Sequence, residues 1–181
     1  MQWKTIGTKQ VYTNAWINVR EDTIVNPAGK KGIYGVVEIP PGIFAVTLNE
    51  KSDILLVRQH RYPTDATSWE LPGGGLKKEN TAEMQIAEEL AEEAHMQARS
   101  FKRLGKTQTQ PGVTNELDVF FLATGAVPVI GASPITKQEE GIDEVSFFAL
   151  KEVLSMIREG QISHGQTITG LMLYLTQGKL I

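Results

Sequence analysis

The amino-acid sequence predicts an α/β fold in which helices pack on a mixed β-sheet, and three observations support that prediction. Short segments rich in β-branched and aromatic residues alternate with turn signals through the first third of the chain. A strong amphipathic helix then follows the segment 69–75. Strand-like segments return after it, and the chain ends on two predicted helices, at residues 150–158 and 166–175.

The N-terminal segments predict a small antiparallel β unit that precedes the main domain. Strands are expected at residues 11–12, 16–19 and 34–39, because these segments are rich in β-forming residues. Asn26-Pro27-Ala28-Gly29 is a turn signal, and Pro40-Pro41-Gly42 closes the last strand. We therefore expect an N-terminal β unit at residues 1–42 and a main domain at residues 43–181.

The main domain begins with a predicted strand pair, residues 43–48 and 54–58, joined by a polar turn. Later strands are predicted at residues 117–123 and 145–148. The sequence Trp-Glu-Leu-Pro-Gly-Gly-Gly at residues 69–75 places a proline beside three glycines, so we expect a loop there and not a regular strand. A second loop, rich in proline and glycine, is expected at residues 126–137.

Composition excludes several classes of function. The 181 residues carry a net charge of −3, which does not favour nucleic acid as a partner. There is no cysteine, so neither a disulfide framework nor a thiolate metal site can form. No apolar run is long enough for a signal peptide or a membrane span. We therefore expect a cytoplasmic protein without a membrane partner.

The predicted helix carries a dense acidic cluster of Glu88, Glu89, Glu92 and Glu93. Positions i, i+3 and i+4 share one helix face, so Glu89, Glu92 and Glu93 should converge. Like charges at this spacing repel, and the helix dipole disfavours anions near the C-terminal end. A divalent cation would remove this penalty, and Mg²⁺ or Mn²⁺ suits carboxylate ligands. A solvated acidic face is the alternative interpretation.

The glycine run before the helix strengthens the case for a cation site. Three consecutive glycines allow close backbone approach to a phosphate or a metal, although a flexible turn is the alternative. Five residues separate Gly74 from Asn80, and seven more separate Asn80 from the run Glu88 to Met96. The spacing of these residues resembles the Nudix box, Gly-x5-Glu-x7-Arg-Glu-U-x-Glu-Glu-x-Gly-U with U aliphatic. The resemblance implies a Nudix fold, an α/β/α sandwich whose box holds metal at a diphosphate.

Three positions depart from the family pattern. Asn80 stands in place of the first glutamate, Glu88 in place of the arginine, and His95 in place of the last glycine. The first two changes remove a structural pair of the family together, and we expect Asn80 to hydrogen-bond Glu88 instead. His95 is expected to end the helix with a positive φ, which histidine tolerates better than most residues.

The resemblance extends beyond the box. Residues 58–62, 69–74 and 110–116 resemble the ADP-ribose and nucleoside diphosphate sugar pyrophosphatases of the family. That branch implies hydrolysis of ADP-ribose to AMP and ribose 5-phosphate, or of a nucleotide sugar to a nucleoside monophosphate and a sugar 1-phosphate. It also implies a homodimer in which the N-terminal β unit packs against the partner subunit.

Four residues are candidates for substrate binding. Arg61 has the guanidinium geometry to grip a phosphate, with a surface arginine as the alternative. Trp16 has the ring to stack on a base, with a core tryptophan as the alternative. Glu116 is a candidate for ligand or metal contact. Arg58 is a further candidate, although a structural pair is its preferred interpretation.

The resemblance also implies a ligand set and a base. Glu89 and Glu93 are expected to bind Mg²⁺, for which Mn²⁺ is a possible substitute. Glu92 would act directly or through water, as a ligand and catalytic candidate, and the Gly73 carbonyl would be a further ligand. Glu140 or Glu139 would orient the attacking water, with Glu140 preferred and Glu116 next.

Two alternatives remain open for the function. A Nudix-like domain with an altered box could sense a nucleotide without cleaving it, although the intact Glu89, Glu92 and Glu93 argue against this. The substrate could also be another linked diphosphate, such as a dinucleotide or a coenzyme.

Overall fold

The computed structural model describes residues 2–130 and 140–177, and the chain divides into two compact units. The N-terminal unit comprises Met1–Pro41 together with Gln108–Leu117. The main unit comprises Gly42–Thr107 together with Asp118–Ile181. A short segment from the second half of the chain therefore belongs with the N-terminal strands.

The N-terminal unit is an antiparallel sheet of three strands in the order β1-β2-β3. Its strands are β1 (Lys4–Thr13), β2 (Asn18–Val25) and β3 (Lys31–Glu38). The segment 108–117 joins this sheet through the Val37 N–H, which donates to the Val113 carbonyl at 2.9 Å. The predicted antiparallel character of this unit is confirmed.

The main unit contains nine strands, a short 3-10 helix and three α-helices within its described residues. Its elements are β4 (Gly42–Leu48), β5 (Ile54–Arg61), the 3-10 helix Tyr62–Thr64, β6 (Ala66–Glu70), β7 (Gly73–Gly75), α1 (Ala82–Ala94), β8 (Met96–Gln97), β9 (Ser100–Thr107), β10 (Asp118–Thr124), β11 (Val127–Pro128), β12 (Ile142–Phe148), α2 (Leu150–Arg158) and α3 (Gly165–Leu175). None of the helices in the described part of the chain is long and apolar enough to span a membrane.

The main sheet is mixed, as the sequence predicts. Its strands follow the order β12-β5-β4-β10-β9, with β6 paired to β5 and β7 paired to β4. β10 runs parallel to β4, whereas the other pairs are antiparallel. Alternate residues of β4 enter different core clusters, because successive side chains of a strand point to opposite faces.

One helix covers one face of this sheet and two helices cover the other. Ile43 and Ala45 of β4 share a core cluster with the α1 residues Ile86 and Leu90. Phe44 and Val46 belong to the other cluster, which α2 and α3 complete with Val153, Met156 and Leu171. The predicted α/β/α sandwich is therefore confirmed, and within residues 2–130 and 140–177 α1 is the helix that packs on its face.

One local prediction is wrong, and one strand was not predicted. The segment 69–75 is not a loop, because its ends lie in β6 and β7. The glycines permit strand pairing here: a Cβ at Gly73 would collide with the Ile43 carbonyl of β4. The strand β9 was not predicted. Its lysines and arginine lie exposed along a sheet edge, so the apolar–polar alternation around buried Leu104 is weak in the sequence.

The ends of α1 agree with the sequence. Thr81 caps the N-terminus, since the Met84 N–H donates to Thr81 Oγ1 at 3.2 Å. His95 follows the last turn with φ 54°, in the left-handed region, and its N–H donates to the Leu90 carbonyl. The expected positive φ of His95 is confirmed, so the missing glycine does not prevent the helix from ending here.

Candidate functional site

Two glutamates on α1 face inward. The buried face of this helix comprises Gln85, Ile86, Glu89, Leu90, Glu93 and Ala94. Glu89 is 6% exposed and Glu93 is 3% exposed. Carboxylates are almost never buried to this extent without a partner, so Glu89 and Glu93 do not belong to a solvated face. Glu92, expected to converge with them, is 43% exposed and lies nearer the rim.

Strand β7 lies directly against these two carboxylates. The Gly73 N–H donates to Glu93 Oε2 at 2.9 Å. A Cβ on Gly74 would stand only 2.5 Å from Glu89 Oε1, so a larger residue cannot be placed there without moving the glutamate. The glycines therefore allow the backbone to approach the acidic face, as the sequence predicts.

The environment raises the pKa of both inward-facing glutamates. Burial raises the pKa of Glu93 well above its ordinary value, and the Gly73 N–H opposes this shift. The like charges of Glu89 and Glu140 raise it further. The pKa of Glu89 is raised by burial and by Glu140 and Glu92. Glu140 therefore lies close to both glutamates.

The donor chemistry of this cluster fits a divalent cation. Within residues 2–130 and 140–177, no lysine or arginine forms a salt bridge with Glu89 or Glu93. The same residues contain no group of three or more Asp, Glu or His side chains already arranged to hold a metal. A cation there would consequently draw the carboxylates together and take further ligands from backbone or substrate oxygens.

The rim of the cluster is polar and more exposed. Lys77 Nζ lies 3.1 Å from Glu88 Oε2 and 4.0 Å from Glu92 Oε1. Asn80 Nδ2 donates to Glu88 Oε2 at 2.9 Å, which confirms the expected bond between the two substituted box positions. Hydrogen bonds from Lys77 and Asn80 lower the pKa of Glu88. Lys77 thus supplies a cation where the family arginine is missing.

Arg61 is held by an acidic partner. Arg61 Nη2 donates to Glu70 Oε2 at 2.6 Å, and Nε lies 3.2 Å from the same oxygen. Glu70 is buried and also lies 3.2 Å from His164 Nδ1. Burial lowers the pKa of His164. The Glu70 carboxylate therefore fixes the guanidinium of Arg61 in one orientation.

Arg58 forms the structural pair that was its preferred interpretation. Its guanidinium binds Asp143 of β12 through two hydrogen bonds, at 2.8 and 2.9 Å, and lies 3.6 Å from Glu144. It also lies over the ring of Trp69, 6.0 Å from the centroid. Trp69 itself is buried in the core.

The remaining candidates are distributed over the chain. Trp16 is 76% exposed on the β1–β2 connection, which overturns the alternative of a core tryptophan within this chain. Asn14 Oδ1 accepts hydrogen bonds from the N–H groups of Trp16 and Ile17, both at 2.8 Å, and so shapes this loop. Glu116 also belongs to the N-terminal unit. Glu139 lies outside the described residues.

A groove of about 400 Å³ lies beside Trp16 in the N-terminal unit. Its lining comprises Thr13, Asn14, Ala15, Trp16, Ile17, Asn18, Glu38, Ile39, Pro40 and Asn115. An exposed tryptophan next to a groove with carboxylate and amide groups suits a flat, polar ligand such as a nucleobase.

Two buried residues of the main unit were not identified from the sequence. Gln85 donates to Glu89 Oε1 at 2.6 Å from one helical turn earlier. Glu70 holds Arg61. The i,i+4 spacing of Gln85 and Glu89 was a signal for the first contact. The sequence has no comparable signal for the contact between Arg61 and Glu70, because these residues come together only when β5 and β6 pair.

Comparison with known proteins identifies the family and the fold. A family model described as the NUDIX domain matches residues 38–169, and one described as the nucleoside diphosphate sugar hydrolase N-terminal domain matches residues 3–37. The chain is 26% identical over 178 residues to a CMP-5'-(N-acetyl-N-hydroxy-3-aminopropyl)phosphonate hydrolase from Streptomyces rubellomurinus, covering 98% of this chain and 84% of that protein.

Two further similarities concern ADP-containing compounds. The chain is 28% identical over 171 residues to an ADP-ribose pyrophosphatase from Mycobacterium tuberculosis, covering 94% of this chain and 82% of that one. The crystal structure of an ADP compounds hydrolase superposes with a TM-score of 0.81 at 14% identity, covering 100% of this chain and 98% of that one, which shows the shared fold. The box spacing, the sandwich and the extent of the NUDIX match place this chain in the Nudix family of hydrolases.

Proposed function

We propose that this chain is a metal-dependent pyrophosphatase that hydrolyses nucleoside diphosphate-linked sugars. ADP-ribose would give AMP and ribose 5-phosphate, and a nucleotide sugar would give a nucleoside monophosphate and a sugar 1-phosphate. The burial of Glu89 and Glu93 under the glycines of β7, with no cationic side chain paired to them in the described residues, is the observation that carries the proposal. The substrate class rests on the N-terminal family match and on the ADP-ribose pyrophosphatase relative.

The proposed metal ligands are Glu89, Glu93, Glu92 and the Gly73 carbonyl, with Glu92 acting directly or through water. Divalent cations are general in this family, and we propose Mg²⁺, with Mn²⁺ as a substitute. Such a cation, when bound, neutralises diphosphate charge and lowers the pKa of a bound water. Raised pKa values at Glu89 and Glu93 fit this assignment, because carboxylates that burial destabilises as anions gain most from a cation.

Other residues of the chain would act on water and substrate. Glu140, placed beside Glu93, is the proposed group that orients and deprotonates the attacking water, with Glu139 and then Glu116 as the alternatives. The water oxygen bonds to one phosphorus, the bridging P–O bond breaks, and the departing phosphate takes the electron pair. Arg61, steadied by Glu70, would bind a phosphate oxygen, and Trp16 would stack on the base.

The proposal includes a homodimer formed through the N-terminal β unit, residues 1–42, in a cytoplasmic protein. All ten residues of β1 are exposed in the single chain, and the large apolar side chains exposed within residues 2–42 are Trp3, Ile6, Val11, Tyr12, Trp16 and Ile33. An apolar surface of this kind usually marks an interface. Light scattering on the intact chain measures the oligomeric state, and a monomer at all concentrations tested would contradict the proposal.

Incubation with ADP-ribose, a nucleotide sugar, a dinucleotide and a coenzyme, each with Mg²⁺, tests the function. We expect nucleoside monophosphate to appear with ADP-ribose or the nucleotide sugar, and chelation by EDTA to stop its release. Turnover of only a dinucleotide or coenzyme would reject the sugar-linked substrate and assign another linked diphosphate. Binding of ADP-ribose without turnover of any compound would favour the non-catalytic sensing module.

A further inference from the structure

Gln85 is the most deeply buried polar residue of α1, with 0% of its surface exposed. Both ends of its side-chain amide are hydrogen-bonded. Its Oε1 accepts from the Lys77 backbone N–H and from Asn80 Nδ2, each at 3.0 Å. Its Nε2 donates to Glu89 Oε1 at 2.6 Å. The side chain therefore connects the loop after β7 to the acidic face of the helix.

The chemistry of these partners fixes the orientation of the amide. A backbone N–H can only donate, so the Gln85 atom that faces Lys77 has to be the oxygen. The nitrogen is consequently directed at Glu89, whose ionised carboxylate only accepts. Rotating the amide by half a turn would oppose donor to donor at one end and remove the donor from Glu89 at the other.

Gln85 provides the only hydrogen bond to Glu89 within the part of the chain that the structure describes. The same carboxylate also lies against Gly74, which has no side chain to hold it. The other loop contacts of this helix, from Lys77 and Asn80 to Glu88, lie at the exposed rim, where ion pairs contribute little. The buried amide is thus the main restraint on the position of Glu89.

We propose that Gln85 is a positioning residue for the cation site: its amide ties the loop after β7 to Glu89 and holds that carboxylate against Gly74. The inference rests on the proposed function, because it takes Glu89 as a metal ligand. Groups that orient a metal ligand change metal affinity by about 10- to 100-fold when they are removed. Gln85 would contact neither the metal nor the substrate.

Titration of the full chain with Mn²⁺, followed by electron paramagnetic resonance of the free ion, tests this role without turnover. Gln85→Met keeps the length of the side chain and removes both hydrogen-bonding ends. We expect it to weaken Mn²⁺ binding about 10- to 100-fold and to lower kcat more than it raises KM. Gln97→Met makes the same chemical change on an exposed residue of the main unit and should leave Mn²⁺ affinity unchanged.

Thermal unfolding without metal distinguishes positioning from a purely structural role. A lower metal-free Tm with unchanged Mn²⁺ affinity of the folded protein would overturn the proposal. If Gln85→Met does not fold, Gln85→Asn keeps an amide but shortens it by one methylene, so that it no longer spans both partners. Wild-type Mn²⁺ affinity in Gln85→Asn would also overturn it.

The same titration separates this proposal from the proposed function. Wild-type protein that binds no Mn²⁺ would overturn both. Normal ADP-ribose hydrolysis with unchanged metal affinity in both Gln85 variants would overturn the positioning role alone. Weaker Mn²⁺ binding in the variants, with no turnover of any diphosphate by the wild-type chain, would support the positioning role and reject the hydrolase.

Discussion

Glu70 and Glu93 lie in the same unit and are almost equally buried, at 1% and 3% exposure, but their surroundings differ in charge. Glu70, at the end of β6, has Arg61 at 2.6 Å and His164 at 3.2 Å. Glu93, on the inner face of α1, has the Gly73 N–H and two further carboxyl groups. Among the described residues, Glu70 has cationic or polar partners that offset its charge, whereas the charged neighbours of Glu93 are carboxyl groups.

The comparison shows how burial of a charge indicates function. A buried anion is costly unless it is paired, because the low-dielectric interior replaces its hydration poorly. The fold meets this cost at Glu70 with side chains already present. At Glu93 the described residues meet only part of the cost, with one backbone N–H, so a bound cation would complete the site. Burial alone therefore identifies neither glutamate as functional, whereas the sign of the neighbouring charges separates them.

The largest expected effect is that of Glu93→Gln on catalysis. Loss of a metal ligand should remove several kcal/mol of charge stabilisation, which corresponds to a fall in kcat/KM of about 100- to 1,000-fold. Steady-state hydrolysis of the best substrate measures this. The metal-free variant should be folded, with a Tm equal to or above that of the wild type, because an unpaired buried charge has been removed. Full turnover by Glu93→Gln would show that the metal-site assignment is wrong.

Glu70→Gln should change stability in the opposite direction. It leaves the Arg61 guanidinium without its anion, and we expect a loss of about 1–2 kcal/mol in the metal-free free energy of unfolding. This is below the range for fully buried pairs because the Arg61 side chain is 41% exposed. Urea denaturation of both variants beside the wild type makes the comparison. Equal changes of the same sign in the free energy of unfolding for Glu70→Gln and Glu93→Gln would contradict the proposed difference in charge around the two glutamates.

The two sites should also respond oppositely to pH in metal-free protein. The pKa of Glu93 is raised from 4.5, chiefly by burial, so its contribution to stability is fully present below pH 4.5 and is lost as pH rises through the folded-state pKa. The pKa of His164 is lowered from 6.5, again chiefly by burial, so its contribution is present above pH 6.5 and is lost as pH falls through the folded-state pKa.

Free energies of unfolding measured against pH for wild type, Glu93→Gln and His164→Gln isolate the two contributions. The stability of Glu93→Gln relative to wild type should increase with pH above 4.5. The stability of His164→Gln relative to wild type should increase as pH falls below 6.5. Saturating Mg²⁺ should abolish the first trend and leave the second. Parallel curves for all three proteins would contradict both assignments.

The smallest effect is expected at the exposed rim, where Glu88 is neither buried nor left among like charges. Glu88→Arg alone would place a guanidinium beside Lys77 Nζ, now 3.1 Å from Glu88, and should lower Tm by a few degrees at most. Combining it with Asn80→Glu restores the family pair and should recover most of that loss. Thermal unfolding of both single variants and the double variant forms the required cycle. A double variant that unfolds would reject the idea that these two positions form a pair.

Much of the fold was predictable because the hydrophobic pattern is local. Helix α2 was predicted with its observed bounds, and the buried strand β10 to within one residue at each end. Strand β7 was missed because glycine weakens a strand in isolation, and only the proximity of β4 and Glu89 explains why glycine is present. Strand β9 was missed because a charged edge strand alternates less clearly than a buried one.

For the candidate site, the sequence by itself determined the local features. These features depend on 3.6-residue periodicity and on backbone sterics, which act over a few residues. They are the spacing of Gly74, Glu89, Glu92 and Glu93, the substituted positions Asn80 and Glu88, and the helix end at His95. Tertiary structure decided which carboxylates are buried and what faces them. Glu140 meets Glu93, Arg61 meets Glu70 and Arg58 meets Asp143 only because β12, β5 and β6 pair. These contacts join residues distant in sequence, so no local pattern encodes them, although they determine the charge around each glutamate.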